Sequence, residues 1–208
     1  MGRRNEHTRE EQRDMAVAAA EHLLVRGGVA DLSMRKVADA IGYTVGNLYL
    51  LFQNQDDLLA TINERTTDAI YAHLTDAVGS VSDPGRRLHR MAAAYIEFAQ
   101  QHPHRWRLMF EHQLPDSMVP RSTTDVRIQR MFELVESALK PLLPGASTRK
   151  LRTSATALWS GVHGVASLAV SGKLKWSGLA HYGSLCEELI DDCLAGIAAR
   201  RGSRSSRS

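Results

Sequence analysis

Cysteine and proline are scarce in this sequence, and long apolar runs are missing. The 208 residues include two cysteines and six prolines. Cys186 and Cys193 are seven positions apart. On one helix their Cα atoms would lie about 10.5 Å apart, beyond disulfide reach. A disulfide scaffold is excluded, and a reducing cytoplasm is the expected location. No apolar run approaches the roughly 20 residues that cross a bilayer, so no membrane association is expected. The N-terminus, MGRRNEHTREEQRD, lacks the apolar segment of a secretory signal. It begins Met-Gly, but Glu6 stands where the myristoylation pattern needs Ser or Thr. Sustained period-two alternation is also absent, which argues against strands.

A strong charge bias is missing too. The formal net charge is +3, and residues 1–53 hold seven Arg or Lys against seven Asp or Glu. The positive charges are unevenly placed. Arg3, Arg4, Arg9 and Arg13 lead the chain, Arg35 and Lys36 form a pair, and Arg200, Arg201, Arg204 and Arg207 sit at a Ser-rich end. Residues 201–208 read as a disordered basic tail. What is present is ordinary globular material: 43% hydrophobic and 24% charged residues, enough for one good-sized core or two small ones.

Helical periodicity dominates, and the expected fold class is all-α. Residues 9–26 are rich in helix formers, with Met15, Ala18, Ala19, His22 and Leu23 on one face, and Gly27-Gly28 stops them. Ser33 caps a second helix striped with Met34, Val37, Ala38 and Ile41, which Gly42 ends. Thr44 caps a very short third helix, Val45 to Phe52, and a long fourth runs from about Asp56 to Val78. Beyond the GSVSDPG break at 79–85, helices are expected over 86–101, 105–112, 125–143, 147–171 and 178–199.

The informative stretch is Ser33 to Leu59, SMRKVADAIGYTVGNLYLLFQNQDDLL. Two short helices around a Gly-containing turn form a helix-turn-helix. Thr44 leaves the amides of the third helix available to phosphate. Gly46 allows close backbone approach. Leu48 and Phe52, four residues apart, would anchor the helix to Val37, Ile41 and Leu23. Val45, Gly46, Asn47 and Leu50 then face a major groove, and the Tyr49 hydroxyl reaches a phosphate. Asn47 suits adenine N6 and N7, Ser33 is a further DNA-binding candidate, and Arg35, Arg3, Arg4 and Arg9 are supplementary phosphate candidates. The predicted partner is double-stranded DNA.

These residues resemble the DNA-binding signature of the tetracycline-repressor (TetR) family. The likeness covers about residues 9–60 and rests on the Gly27 break, Ala38, Gly42, the G-x-L-Y-x-x-F core at Gly46 to Phe52 and the Asp-Leu-Leu opening at Asp57. The departures are Asn47 for a small residue, Leu51 for His or Tyr, and Gln55 for Lys. ALWSGVHGVASL, with Trp159, His163 and Gly164, and HPHRWRLMF around Trp106 resemble the subclass marked by Trp-His-Gly.

The resemblance implies a C-terminal domain that dimerises and binds an effector, giving a helix-turn-helix domain at 1–55 and an effector-binding and dimerisation domain at 56–200. Pocket candidates are Tyr95, Phe98, Trp106, Met109, Phe110, Met131, Phe132, Trp159 and His163, a set that suits a mostly apolar small molecule. The apolar stripes of the last two helices supply homodimer candidates: Leu158, Val162, Leu185, Leu189, Cys193 and Leu194. His102, His104 and His112 match no strong zinc spacing, so no metal or cofactor is expected. The expected function is a ligand-responsive repressor acting on a palindromic operator. The alternatives are a DNA-binding architectural protein without an effector and an all-α enzyme, for which no nucleophile–base pair is evident.

Overall fold

A computed structural model describes residues 7–112, 121–178 and 182–205. Helices account for all the regular structure among them: α1 Arg9–Gly27, α2 Met34–Ile41, α3 Val45–Leu51, α4 Gln55–Val78, α5 Pro84–Gln101, α6 Pro103–Glu111, α7 Arg121–Leu139, α8 Thr148–Val170 and α9 Tyr182–Ser205, with short 3₁₀ turns between some of them. No helix among the described residues is long and apolar enough to cross a membrane.

The helix starts follow capping chemistry. Thr8 and Glu11 form a reciprocal capping box at α1. Ser33, Thr44, Asp83 and Ser147 accept backbone N–H groups at the starts of α2, α3, α5 and α8. Pro84 at the first position of α5 needs no N–H partner, so the helix starts two residues before the expected Arg86. Pro141 turns the end of α7 into a 3₁₀ segment over Lys140–Leu142 instead of more α-helix. α9 runs on to Ser205, through most of the stretch expected to be disordered. Residues 206–208 lie outside the described residues.

Two compact units divide the chain. The first comprises 1–67 with 104–124, and the second 68–103 with 125–208. The division falls within α4, between Thr67 and Asp68, rather than at the expected 55/56, and it assigns α6 to the first unit. In that unit α1, α2, α3 and the start of α4 close around Val17, Leu24, Val37, Leu48, Phe52, Leu58 and Ile62, and Leu108 of α6 joins the same core. The buried face of α1 is Gln12, Ala16, Val17, Ala20 and Leu24, one position round from the expected face. The run MAVAAA is apolar on nearly every side, so its alanines could not fix the direction.

The second unit is built on α5, α8 and α9, which pack on one another. Small residues set the spacing. A Cβ on Gly161 of α8 would meet Leu189 Cδ2 of α9 at 2.7 Å. The two free cysteines lie on α9, Cys186 buried and Cys193 half-buried.

Candidate nucleic-acid interface

The turn between α2 and α3 depends on one glycine. Gly42 ends α2 at φ 73°, a left-handed conformation that costs a side-chain-bearing residue free energy. The Tyr43 N–H then returns to Ala38 O at 3.0 Å. Two residues later Thr44 Oγ1 accepts the Asn47 N–H at 3.2 Å and starts α3. Leu48 is fully buried, Leu51 and Phe52 nearly so, and together they fix the inner side of this short helix. Leu51, a departure from the family pattern, is thus a core residue.

The outer side of α3 is open. Leu50 is 70% exposed and Tyr49 54%, both unusual for residues of their size. A Cβ at Gly46 would have only Thr44 Oγ1 within 4 Å, at 3.8 Å. Arg35 on α2 is exposed, and no partner is found for it among the described residues, whereas Lys36 is paired with Asp31. Gly46, Tyr49 and Leu50 therefore lie exposed along α3, with Thr44 exposed as its cap and Arg35 exposed on α2.

Other expected members are placed differently. Val45 packs partly against the core, because it follows the cap on the inward side. The Ser33 hydroxyl accepts the Lys36 N–H. Asn47 donates through Nδ2 to Gln12 Oε1 at 3.1 Å, so one of its two amide protons is already committed. Arg9 is not a free phosphate ligand: its Nη2 donates to Leu50 O at 2.6 Å. Arg3 and Arg4 lie outside the described residues. Gln12 and Arg13 were missed as contributors. The available signal was phase, since Gln12 begins the four-residue series that continues through Ala16, Ala20 and Leu24 in the buried stripe.

The effector candidates are divided between the two units. Trp106, Met109 and Phe110 lie on α6 in the first unit. Trp106 is fully buried and meets Phe110 at a tilt of 49°, with ring centroids 4.5 Å apart. These residues are drawn there because Arg105 of α6 reaches Thr66 Oγ1 at 3.1 Å and Glu21 Oε1 at 3.4 Å, while Leu108 joins the core.

In the second unit Tyr95, Phe132, Trp159 and His163 do come together. Phe132 meets Trp159 edge-on at 5.6 Å, and Trp159 stacks on His163 at 4.9 Å. The Trp159 indole donates to Tyr95 Oη at 3.2 Å. Tyr95 Oη lies 3.1 Å from His163 Nδ1, and Ser167 Oγ lies 3.2 Å from His163 Nε2. An indole N–H only donates, so Trp159 gives its proton to Tyr95, and a neutral His163 between Tyr95 and Ser167 donates to one of them and accepts from the other, which makes the four side chains a continuous relay. Burial favours that neutral state and holds the His163 pKa below its ordinary value. Burial likewise pushes the Tyr95 hydroxyl well up. Phe98 is buried one turn along α5 beside His102, and Met131 is half-buried on α7.

Of the six interface candidates, two are buried within the single chain and four are half-buried. Leu158 and Val162 are buried within the single chain, at 7% and 6% exposure, because α8 packs on α5 and α9. Leu189 sits over Gly161, and Leu194 Cδ1 would lie 3.3 Å from a Cβ on Gly85. Leu185 and Cys193 are half-buried on α9, and burial raises the Cys193 thiol pKa. The face of α8 that stays exposed instead carries Thr153, Ala157, Ser160 and Leu168.

Comparison with known proteins gives this geometry a setting. A family model described as "Bacterial regulatory proteins, tetR family" matches residues 16–62, which contain α2, the turn and α3. A second, described as "Tetracyclin repressor-like, C-terminal domain", matches residues 88–193, half of the chain. The chain belongs to the tetracycline-repressor family. It is thus a DNA-binding transcriptional regulator and not an enzyme.

A curated relative, the HTH-type transcriptional activator FasR of Mycolicibacterium smegmatis, is 26% identical over 110 residues, covering 53% of this chain and 50% of the relative. The match thus spans about half the length of that protein. Among solved structures, a protein of unknown function from Rhodococcus sp. RHA1 superposes with a TM-score of 0.74 at 23% identity, covering 94% of this chain and 98% of its own. A TetR-like transcriptional regulator from the same organism gives 0.64 at 20% identity, covering 95% and 99%. Both share the all-helical TetR fold seen here.

Proposed function

We propose that this TetR-family chain acts in the cytoplasm as a homodimeric repressor of a near-palindromic operator, which it leaves when a mostly apolar small molecule binds its second unit. The observation that carries the DNA part is the pairing on α3 of a fully buried inner face with an outer face holding exposed Leu50 and Tyr49. A rigid helix that shows large apolar and phenolic groups to solvent suits thymine methyls and phosphate oxygens. One chain offers one such helix, so twofold symmetry and two half-sites go together. The dimer contact is assigned to the exposed face of α8, which carries Thr153, Ala157, Ser160 and Leu168, since Leu158 and Val162 are buried inside the chain.

The effector site is assigned to Tyr95, Phe132, Trp159 and His163, where adaptable aromatic surface surrounds a short polar relay. An inducer must bind the DNA-incompetent state more tightly, and DNA must then weaken the inducer equally. An open pocket of about 520 Å³ also lies at the turn between α4 and α5, lined by Ser80, Val81, Ser82, Asp83, Arg86, His89 and Arg90.

The sense of regulation is assigned as repression, although the FasR relative is named an activator. The test combines a tryptophan-fluorescence screen of apolar metabolites, duplex titrations with each hit, and a reporter carrying the selected site across its promoter. Repression relieved by a hit supports the proposal. Activation, or hits that leave duplex affinity unchanged, sink the repressor and effector assignments respectively.

A further inference from the structure

The last carbonyls of a helix have no partner within it. On α3 the carbonyls of Leu50 and Leu51 are instead taken by two arginines of α1. Arg9 Nη2 donates to Leu50 O, and Arg13 Nη1 donates to Leu51 O, each at 2.6 Å. A cation at a helix C-terminus also meets the negative end of the helix dipole. Arg13 is further fixed from two sides. Its Nη2 donates to Thr61 Oγ1 of α4 at 2.9 Å, and its guanidinium lies 4.4 Å from the Phe52 ring centroid. Between these arginines, the buried amide of Gln12 accepts from Asn47 Nδ2 at 3.1 Å and donates to His7 O at 3.0 Å. Three side chains from the first turns of one helix therefore grip another helix of only seven residues.

We propose that Arg9, Gln12 and Arg13 form a bracket that sets the pose of α3, so that α1 determines DNA specificity without reading a base. The proposal rests on α3 being the reading helix. Its physical basis is the shortness of α3. Base readout tolerates little displacement of the donors and acceptors, whereas non-specific attraction to phosphates depends mainly on charge. Arg9 and Arg13 are thus positioning residues. Gln12 sets the direction of the Asn47 carboxamide: one Nδ2 proton points inward, leaving the second proton and Oδ1 for a base edge.

The alternative use of either arginine is direct phosphate contact, and the two roles give different signatures. Loss of a phosphate ligand lowers the salt slope of binding by about one and weakens all duplexes alike. Loss of a positioning residue lowers the ratio of specific to non-specific affinity and leaves the slope unchanged. Simple destabilisation lowers both affinities by the folded fraction and leaves the ratio unchanged.

The experiment first selects a duplex from a pool with a randomised central segment, using the unmodified chain. Affinity for that duplex and for a scrambled duplex of equal length is then measured from low to high salt for Arg9→Ala, Arg13→Ala, Arg13→Lys and Gln12→Leu. The specific-to-scrambled ratio should fall roughly tenfold for each alanine variant, the equivalent of one charge-assisted hydrogen bond. Arg13→Lys should recover part of that loss. Gln12→Leu should change the preferred base at one position of each half-site when the selection is repeated. Arg9 is exposed, so Arg9→Ala keeps its fold and carries the test even if Arg13→Ala does not. A reduced salt slope with an unchanged ratio overturns the bracket and leaves the DNA reading intact. Failure of the unmodified chain to prefer any duplex overturns both.

Discussion

Leu48 and Leu50 are two residues apart on α3 and should respond oppositely to the same substitution. Leu48 is fully buried in the first unit's core, and Leu50 is 70% exposed. Leu48→Ala removes packed methyl groups and leaves a cavity, so it should cost about 2–5 kcal/mol of stability. That is a large part of the roughly 5–15 kcal/mol available to a domain. Leu50→Ala loses little in the free protein, with stability held within about 0.5 kcal/mol. In the complex it gives up the apolar surface that would leave water against thymine methyls. At about 0.8 kcal/mol per buried methylene, a partly dehydrated contact should lose about 1–2 kcal/mol per half-site, so a dimer on two half-sites should lose about 2–4 kcal/mol, roughly thirty- to several-hundredfold in affinity. Urea unfolding separates the two variants, and fluorescence-anisotropy titration with the selected duplex reads the affinity. Unchanged duplex affinity for Leu50→Ala, with the fold intact, would refute the assignment of this face to DNA. Unchanged stability for Leu48→Ala would refute the account of how α3 is held.

Gly42→Ala should destabilise the chain by about 1–2 kcal/mol in thermal or urea melts, because the left-handed φ of 73° is costly for alanine. Lowered His163 and raised Tyr95 pKa values set opposite limbs of a stability profile. The His163 contribution is present above its unfolded value near 6.5 and is lost as pH falls through the lower folded value. The Tyr95 contribution is present below about 10 and is lost as pH rises further. His163→Phe should therefore flatten the acid limb in urea titrations run from pH 7 down to 5, and an unchanged limb would contradict the neutral relay. Leu194→Glu should unfold the second unit, since it places a charge where α9 packs beside Gly85, whereas Ala157→Arg on the exposed α8 face should give a folded monomer by sedimentation.

The sequence made the helices legible because periodicity and caps are local. Ser33, Gly42 and Thr44 each do in the structure what their chemistry implies, and the α2–turn–α3 element follows from them. The inner face of α3 was legible too, since Leu48 and Phe52 have no other way to be buried. Which side of α1 faces inward was not, because an alanine-rich helix has little hydrophobic direction. The role of Arg9, read as a phosphate candidate, and of Arg13, read only as one of the leading charges, was hidden for a similar reason: their partners are backbone carbonyls 41 and 38 residues away, which leave no trace in composition. The assignment of Trp106 and Trp159 to different units was hidden as well. Both are large aromatic residues on amphipathic helices, and only the long-range packing of Arg105 and Leu108 assigns α6 to the first unit. Finally, an apolar stripe says that a helix is buried but not by what. Leu158 and Val162 are covered within the chain, and the exposed face of α8 carries Thr153, Ala157, Ser160 and Leu168.

The most direct test is selection from a random duplex pool by the unmodified chain, followed by methylation interference on the enriched duplex. The account predicts a near-palindromic sequence with interference at guanines in two successive major grooves on one side of the duplex, about one helical turn or a multiple apart. It also predicts that Leu50→Ala and Tyr49→Phe each weaken binding to that duplex. No enriched sequence, or interference confined to the minor groove and untouched by either substitution, would contradict the claim that α3 is the element that reads DNA.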